Sequence, residues 1–182
     1  RGAGDRPSSA VPRRRVLGEE HPSTLNAMQT LGTLYQNEGK LSEAAAILTS
    51  SLEMRRRALG SRHPDTTTTM MSLGGLRLQQ GKYAEAESLF REAFENLQKV
   101  PDRWERYLIE SRLGGSLLSQ QKYAEAEPLL LAGYEGMIQL RTAIPKDRAS
   151  EIKYAGDRII QLYREWGKAE EASEWEGKLI PK

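Results

Sequence analysis

The chain has two histidines, His21 and His63, and each is followed by proline. His63 stands just before Asp65 and just after Arg55, Arg56 and Arg57. The stretch RRRALGSRHPDTT therefore offers three chemistries: an arginine patch for phosphates, a metal ligand, and a histidine beside a carboxylate for acid–base work. The stretch RRRVLGEEHPST, from Arg13 to Thr24, carries the same pattern 42 residues earlier, with eight identities in twelve positions. A motif duplicated at a fixed interval belongs to a repeated unit rather than to one reactive centre. There is no cysteine, and the two histidines are a repeat apart, so no metal site is expected at either. Ser72 and Ser111 have no histidine at a matching place. The LGGL and LGGS stretches lie within helical patterns, not between a strand and a helix, and the glutamates of the AEAE stretches read as a solvated face. The expectation is a protein that is not an enzyme, with no cofactor and no metal.

Charge points the same way. The formal net charge of the 182 residues is +2, but residues 1–15 hold five arginines against Asp5, which leaves 22 basic and 24 acidic residues in the rest. A body balanced in this way lacks the basic footprint of a nucleic-acid binder, so no nucleic-acid partner is expected. The longest apolar runs, such as PLLLAGY, are far short of the roughly 20 residues that cross a bilayer. The reading is of a soluble piece, not a membrane partner, with a cytoplasmic location. Residues 1–12, rich in Gly, Pro and Ser, read as a flexible lead-in.

The elements that must carry these residues follow from the repeat. Leu31-Gly32, Gly39-Lys40 and Glu43-Ala44 recur 42 residues on as Leu73-Gly74, Gly81-Lys82 and Glu85-Ala86. A third copy, with Leu113-Gly114 and Tyr123-Ala124-Glu125-Ala126, follows after 40 more, and a worn fourth keeps Tyr163, Gly167 and Ala172. Each unit reads as two amphipathic helices. The first, helix A, is expected over 22–38, 64–80, 104–120 and 148–165, with an apolar stripe such as Leu25, Met28, Leu31, Leu34 and Tyr35. The second, helix B, is expected over 41–58, 83–99, 123–142 and 168–179. Glycine at the A–B turn ends the first helix. Pro22 and Pro64 start a helix A, with Ser23 and Asp65 supplying capping oxygens or first-turn charge. Gly32, Gly74 and Gly114 are expected to face Ala44, Ala86 and Ala126, with Leu48, Phe90 and Leu130 filling the space between adjacent pairs. Tyr35, Tyr83, Tyr123 and Tyr163 read as packing residues. The arginine triplets fall at the end of a helix B, where cations favour the negative helix terminus.

The constellation resembles the tetratricopeptide repeat: Leu31, Gly32, Tyr35, Ala44 and Leu48 in one copy, then Leu73, Gly74, Ala86 and Phe90 in the next. Its spacing of about 42, against a usual period of about 34, and its HP-T and G-Y-EAE-L stretches look like the kinesin light chain class. The arrays are also similar to bacterial ones, including those that follow serine/threonine kinase domains. The resemblance implies an all-α fold, an αα-hairpin superhelix of about four helix pairs. The divisions expected are a lead-in over 1–12, a remnant of a preceding repeat helix over 13–21, and repeats over 22–61, 62–100, 101–143 and 144–182, the last degenerate and capping.

It further implies a module for protein–protein interaction, with a protein or peptide partner held in a concave groove lined by the A helices. The alternative it allows is a regulatory arm of a larger signalling enzyme such as a bacterial kinase. Projecting the family's groove register onto this chain selects Asn26, Gln29, Thr33, Gln36 and Asn37 on the first A helix. On the second it selects Thr68, Met71, Leu78 and Gln79. Ser111 and Leu118 follow on the third, then Tyr154, Asp157, Gln161 and Arg164. Amides and hydroxyls of this kind suit an extended peptide backbone, to which they can both donate and accept. A terminal carboxylate would call for convergent arginine or lysine, which this register lacks in its first three repeats. Gly75 and Gly115 fall beside the wall, where a missing side chain leaves room for a ligand backbone. The paired asparagines of kinesin light chain-like repeats are here Gln29-Thr30, Met71-Ser72 and Ser111-Arg112, so that family's exact peptide preference is not carried over. The oligomeric state is not legible.

Overall fold

Each His-Pro pair starts a helix by a device the sequence reading missed. In the computed structural model, which describes Gly18 and residues 20–98 and 103–179, the Nδ1 of His21 accepts a hydrogen bond from the Ser23 amide at 3.2 Å, and that of His63 accepts from the Asp65 amide at 3.2 Å. The histidine ring satisfies one of the orphan amides of the first turn, while the proline after it has no amide to satisfy. Ser23 and Asp65 thus donate to a cap rather than supplying one, although Asp65 does place a negative charge in the first turn.

Eight α-helices form among the described residues, in the expected order of helical hairpins. They are α1 (Pro22–Asn37), α2 (Leu41–Leu59), α3 (Pro64–Gln79), α4 (Tyr83–Leu97), α5 (Trp104–Leu118), α6 (Tyr123–Gln139), α7 (Ser150–Glu165) and α8 (Ala169–Leu179). A 3-10 turn, Lys146–Arg148, precedes α7. Helix α6 stops three residues short of the expected end, because the chain turns at Leu140 and Pro145 bars a helical continuation. The lead-in over 1–12 and most of the remnant over 13–21 lie outside the described residues.

The A–B turns reverse through a left-handed residue. Gly39, Gly81 and Gly167 have φ of 76°, 71° and 80°, and Gln121 takes the same role at φ 61° in the third unit. Behind the turn a 6→1 bond closes the helix end, from Lys40 to Tyr35 at 2.9 Å, Lys122 to Leu117 at 3.0 Å and Lys168 to Tyr163 at 2.8 Å.

The chain divides into two compact units, the first running to Gln80 and the second from Gly81. In the first, α1 packs on α2 and α2 on α3. Leu25, Met28 and Met54 form a buried cluster with Ile47 against it, and Leu48 is fully enclosed. A Cβ placed at Gly32 would lie 2.7 Å from Leu48 Cδ2 and Cγ, so the glycine makes room for Leu48 rather than for Ala44. Leu34 departs from the expected stripe: it is 51% exposed, whereas its equivalent in α3, Leu76, is fully buried. Helix α3 has α2 in front of it, and no described helix precedes α1.

In the second unit, α4, α5, α6, α7 and α8 pack in succession, and α5 also meets α7. Leu117, Leu118, Ala126, Leu130, Ile159 and Trp175 belong to one core cluster, with Tyr134 edge-on to Trp175 at 5.2 Å. Burying side chains of this size contributes about 1.5–3 kcal/mol each. Trp166 closes the fourth hairpin by stacking on Tyr123 at 6.0 Å, with Lys168 Nζ 3.6 Å from its ring centre. Tyr163 is buried as expected, but Tyr83 is exposed.

Candidate partner-binding wall

Helices α1 and α3 bring the sequence-selected residues of unit 1 onto one face and join them. Gln29 Nε2 donates to Ser72 Oγ at 2.9 Å, and two turns further along α1 Gln36 Nε2 donates to Gln79 Oε1 at 3.0 Å. Thr33 and Thr68 turn their hydroxyls back onto carbonyls of their own helix, at Gln29 and Pro64, a local bond that uses up the hydroxyl proton. The amides, not the threonines, hold the free valences. Gln29 Oε1 is buried with no hydrogen-bond partner. Met71 and Leu78 lie half-buried on α3, and Asn37 and Gln79 are exposed.

Asn26 stands at the head of this wall, and the buried Arg55 holds it. The guanidinium donates to Asn26 Oδ1 at 2.7 Å through Nη2 and lies 3.2 Å from Asp65 Oδ2 through Nη1. Arg55, 3% exposed, thus ties α2 to both A helices of its unit. Burial lowers its pKa, against the pull of Asp65. Arg57 faces solvent and pairs with Glu20 at 3.0 Å. Arg55 therefore belongs to neither an exposed patch nor a simple helix-end charge. The sequence signal that could have found it is helical register, since Arg55 falls seven and three residues after the buried Leu48 and Leu52.

Unit 2 corrects the groove register. Ser111 is fully buried and Leu118 is 2% exposed within the core cluster, so neither is open to a partner as the side chains stand. For Ser111 the reason is two neighbours: Gly133 of α6 stands close beside it, and Arg158 of α7 donates from Nη1 to Ser111 Oγ at 3.2 Å. A Cβ at Gly115 would stand 3.1 Å from Arg158 Cδ. The space expected for a ligand backbone is filled by an arginine. Beside it, Arg112 binds Glu151 at 2.7 Å and Arg148 approaches the same carboxylate at 3.9 Å. The α5–α7 wall is charged, with Arg112 and Arg158 added to the Asp157 and Arg164 that the register selected on α7. Tyr154 is half exposed, Asp157 is paired with Lys153 at 2.7 Å, Gln161 with Glu165 at 2.8 Å, and Arg164 with Glu176 at 2.6 Å.

The AEAE glutamates are also not all on a solvated face. Glu87 on α4 accepts from Gln120 at 2.8 Å, Lys122 at 3.0 Å and Arg91 at 2.9 Å. Burial pushes its carboxyl up, but these three donors outweigh it and hold the pKa at about 2. Glu127 receives Lys168 at 3.3 Å. They are ties between successive hairpins of unit 2. No group of three histidine, aspartate or glutamate side chains suited to a metal occurs among the described residues, nor any helix long and apolar enough to cross a membrane.

A tetratricopeptide repeat model matches residues 13–57 and 34–99. No curated protein matches the chain significantly. Among solved structures, the nearly identical TPR-like repeats of a kinesin light chain-type protein of Podosopora anserina superpose with a TM-score of 0.74 at 20% identity, over 91% of this chain and 78% of that one. A point variant of the same repeats gives 0.77 at 19% identity, over 93% and 79%. BtubC (BKLC) of P. vanneervenii gives 0.74 at 16% identity, over 91% and 65%. Over residues 13–99 the chain matches the tetratricopeptide repeat, and its all-α fold of about four helix pairs is similar to that of the kinesin light chain-type repeat structures.

Proposed function

We propose that the protein is a non-catalytic module that binds a partner segment on its A-helix walls, with the α1–α3 wall of unit 1 as the docking face. The tetratricopeptide fold is that of protein–protein interaction modules, and the observation that carries the finer reading is the amide ladder. Gln29 and Gln36 stand seven residues apart on α1, roughly 10 Å along the axis, and each is already fixed by a bond to α3. Two turns of helix nearly match one turn of a polyproline II segment, roughly 9 Å, in which residues i and i+3 present backbone groups to the same side. Asn37 and Gln79, exposed on the two helices, supply side-chain amides that a peptide backbone can reach. Met71 and Leu78, also seven apart, offer apolar contact on the facing helix. Such a segment binds by hydrogen bonds and shape with little ordering of the wall, since the bonds between the helices pre-organise it.

The test is a peptide selected from a random displayed library against the intact protein, with its affinity measured by fluorescence polarisation. Gln29→Arg combined with Gln36→Glu should weaken it by about tenfold or more, equivalent to 1.4 kcal/mol, while the melting temperature falls only slightly, because the two side-chain bonds lost are worth about 1 kcal/mol each. An unaltered affinity moves the interface to another face.

A further inference from the structure

The bonds that fix the side-chain amides of the α1–α3 wall also decide which of their atoms a ligand meets. A guanidinium has no acceptor, so the Asn26 atom that Arg55 holds at 2.7 Å is Oδ1, and the exposed Asn26 is left to offer its Nδ2 hydrogens. The bond from Gln36 to Gln79 consumes one amide oxygen and one hydrogen, and the pair then offers more hydrogens than oxygens. Gln29 spends a hydrogen on Ser72, and its Oε1 is enclosed, out of a ligand's reach. The hydroxyl oxygens of Thr33 and Thr68 remain as acceptors, drawn back against their own helices. Asn26, Gln29, Thr33 and Gln36 follow one another at three- and four-residue steps and so share one face of α1. That face is biased towards donors.

We propose that the segment this wall takes is proline-rich. The inference rests on the reading of the wall as a docking face and names the chemistry of its ligand. An ordinary peptide brings an N–H with every carbonyl, and an N–H pressed against a donor-biased surface loses its water without gaining a partner. Proline brings the carbonyl alone. In polyproline II form those carbonyls make no internal bonds, and the fixed φ lowers the ordering cost of binding. Asn26 and Gln36 stand ten residues apart, roughly 15 Å along α1, which about five residues of polyproline II span. The uncharged, apolar rings suit the half-buried Met71 and Leu78 of α3.

The probe is acetyl-nonaproline-amide, titrated into the intact nitrogen-15-labelled protein and followed by NMR at the side-chain NH2 signals of Asn26 and Gln79. Both signals should shift saturably, and a capped Gly-Ser peptide of equal length should bind at least about tenfold more weakly. Asn26→Asp keeps the oxygen that Arg55 holds and removes only the outward donor. It should weaken nonaproline by about tenfold or more without lowering the melting temperature. Equal affinity for the two peptides, or undiminished nonaproline binding by Asn26→Asp, would overturn the proposal. Should that variant fail to fold, Gln79→Glu decides by the same criterion, since it keeps the oxygen that Gln36 bonds and removes the Nε2 hydrogens. A library-selected peptide that loses its affinity in the Gln29→Arg, Gln36→Glu variant, while nonaproline fails to bind, would leave the docking face standing and strike out its preference for proline.

Discussion

Glu87 and Glu110 are carboxylates of the same unit in opposite circumstances. Three donors hold Glu87 charged, with a pKa near 2. Glu110 is buried on α5 with Oε2 unpartnered, and its pKa is raised by desolvation, only partly offset by Arg106. It occupies the register of Met28 and Met70 in the earlier repeats, both of them buried core residues. The signs of their pH effects therefore differ. The Glu87 contribution is complete above its unfolded value of about 4.5 and is lost as pH falls towards 2. The Glu110 carboxyl is tolerated best when protonated, and the fold loses stability as pH rises through its ordinary range and beyond. Glu110→Met should stabilise by about 1–3 kcal/mol at neutral pH, the penalty of one unsatisfied buried group, with the gain shrinking below pH 4. Urea denaturation of parent and variant at pH 7 and at pH 3.5 measures this, and a variant no more stable at pH 7 would show that Glu110 is satisfied in solution. Glu87→Gln should do the reverse, costing about 1 kcal/mol at pH 7 after solvent screening of exposed partners and less in acid.

At the scale of elements, the tightest approach in unit 2 is between α5 and α6, and the glycines that permit it were not among those the repeat pattern singled out. A Cβ at Gly133 would lie 2.6 Å from the Ser111 amide nitrogen and 2.8 Å from the Tyr107 carbonyl oxygen, and one at Gly136 would enter the Tyr107 ring. Main chain cannot yield as the end of a leucine can. Gly133→Ala should therefore cost at least about 3 kcal/mol, the upper range for overpacking. Gly32→Ala, which meets only the Leu48 side chain, should cost less, because the helix gains about 0.5–1 kcal/mol of propensity from losing a glycine. Thermal melts of the two variants rank them, and an order of stability opposite to this would mean that α5 and α6 can separate freely. The period, the hairpins, the turn glycines and the proline-started helices were legible because they are local and recur. The fit of α5 to α6 was not, because Gly133 and Gly136 have no counterparts in the other copies. Nor could the register reveal that Ser111 is covered, since that depends on a side chain 47 residues away and on the close approach of Gly133.

Over the whole molecule, what decides the class of partner is where the charge sits. The excess of +4 in residues 1–15 is set against a body with two more acidic than basic residues. The one member of the Arg55–Arg57 triplet that is most buried is spent on Asn26 and Asp65, and the α1–α3 wall presents amides, hydroxyls, a methionine and a leucine. Attraction through such a face owes little to long-range fields, which are screened within about 8 Å at physiological ionic strength. A peptide selected on this wall should keep its affinity to within about threefold between 50 mM and 500 mM salt, whereas a ligand held by six or more phosphate contacts would lose about a thousandfold or more between 50 mM and 200 mM. A steep loss for the selected peptide would transfer its site from the amide ladder to arginines, and the α5–α7 wall with Arg112 and Arg158 would be the first place to look. Repeating the titration with Arg158→Ala separates the two: on the amide ladder the salt dependence is unmoved by that substitution, and on the charged wall it becomes shallower, because one of the cations that releases its counterion on binding has gone.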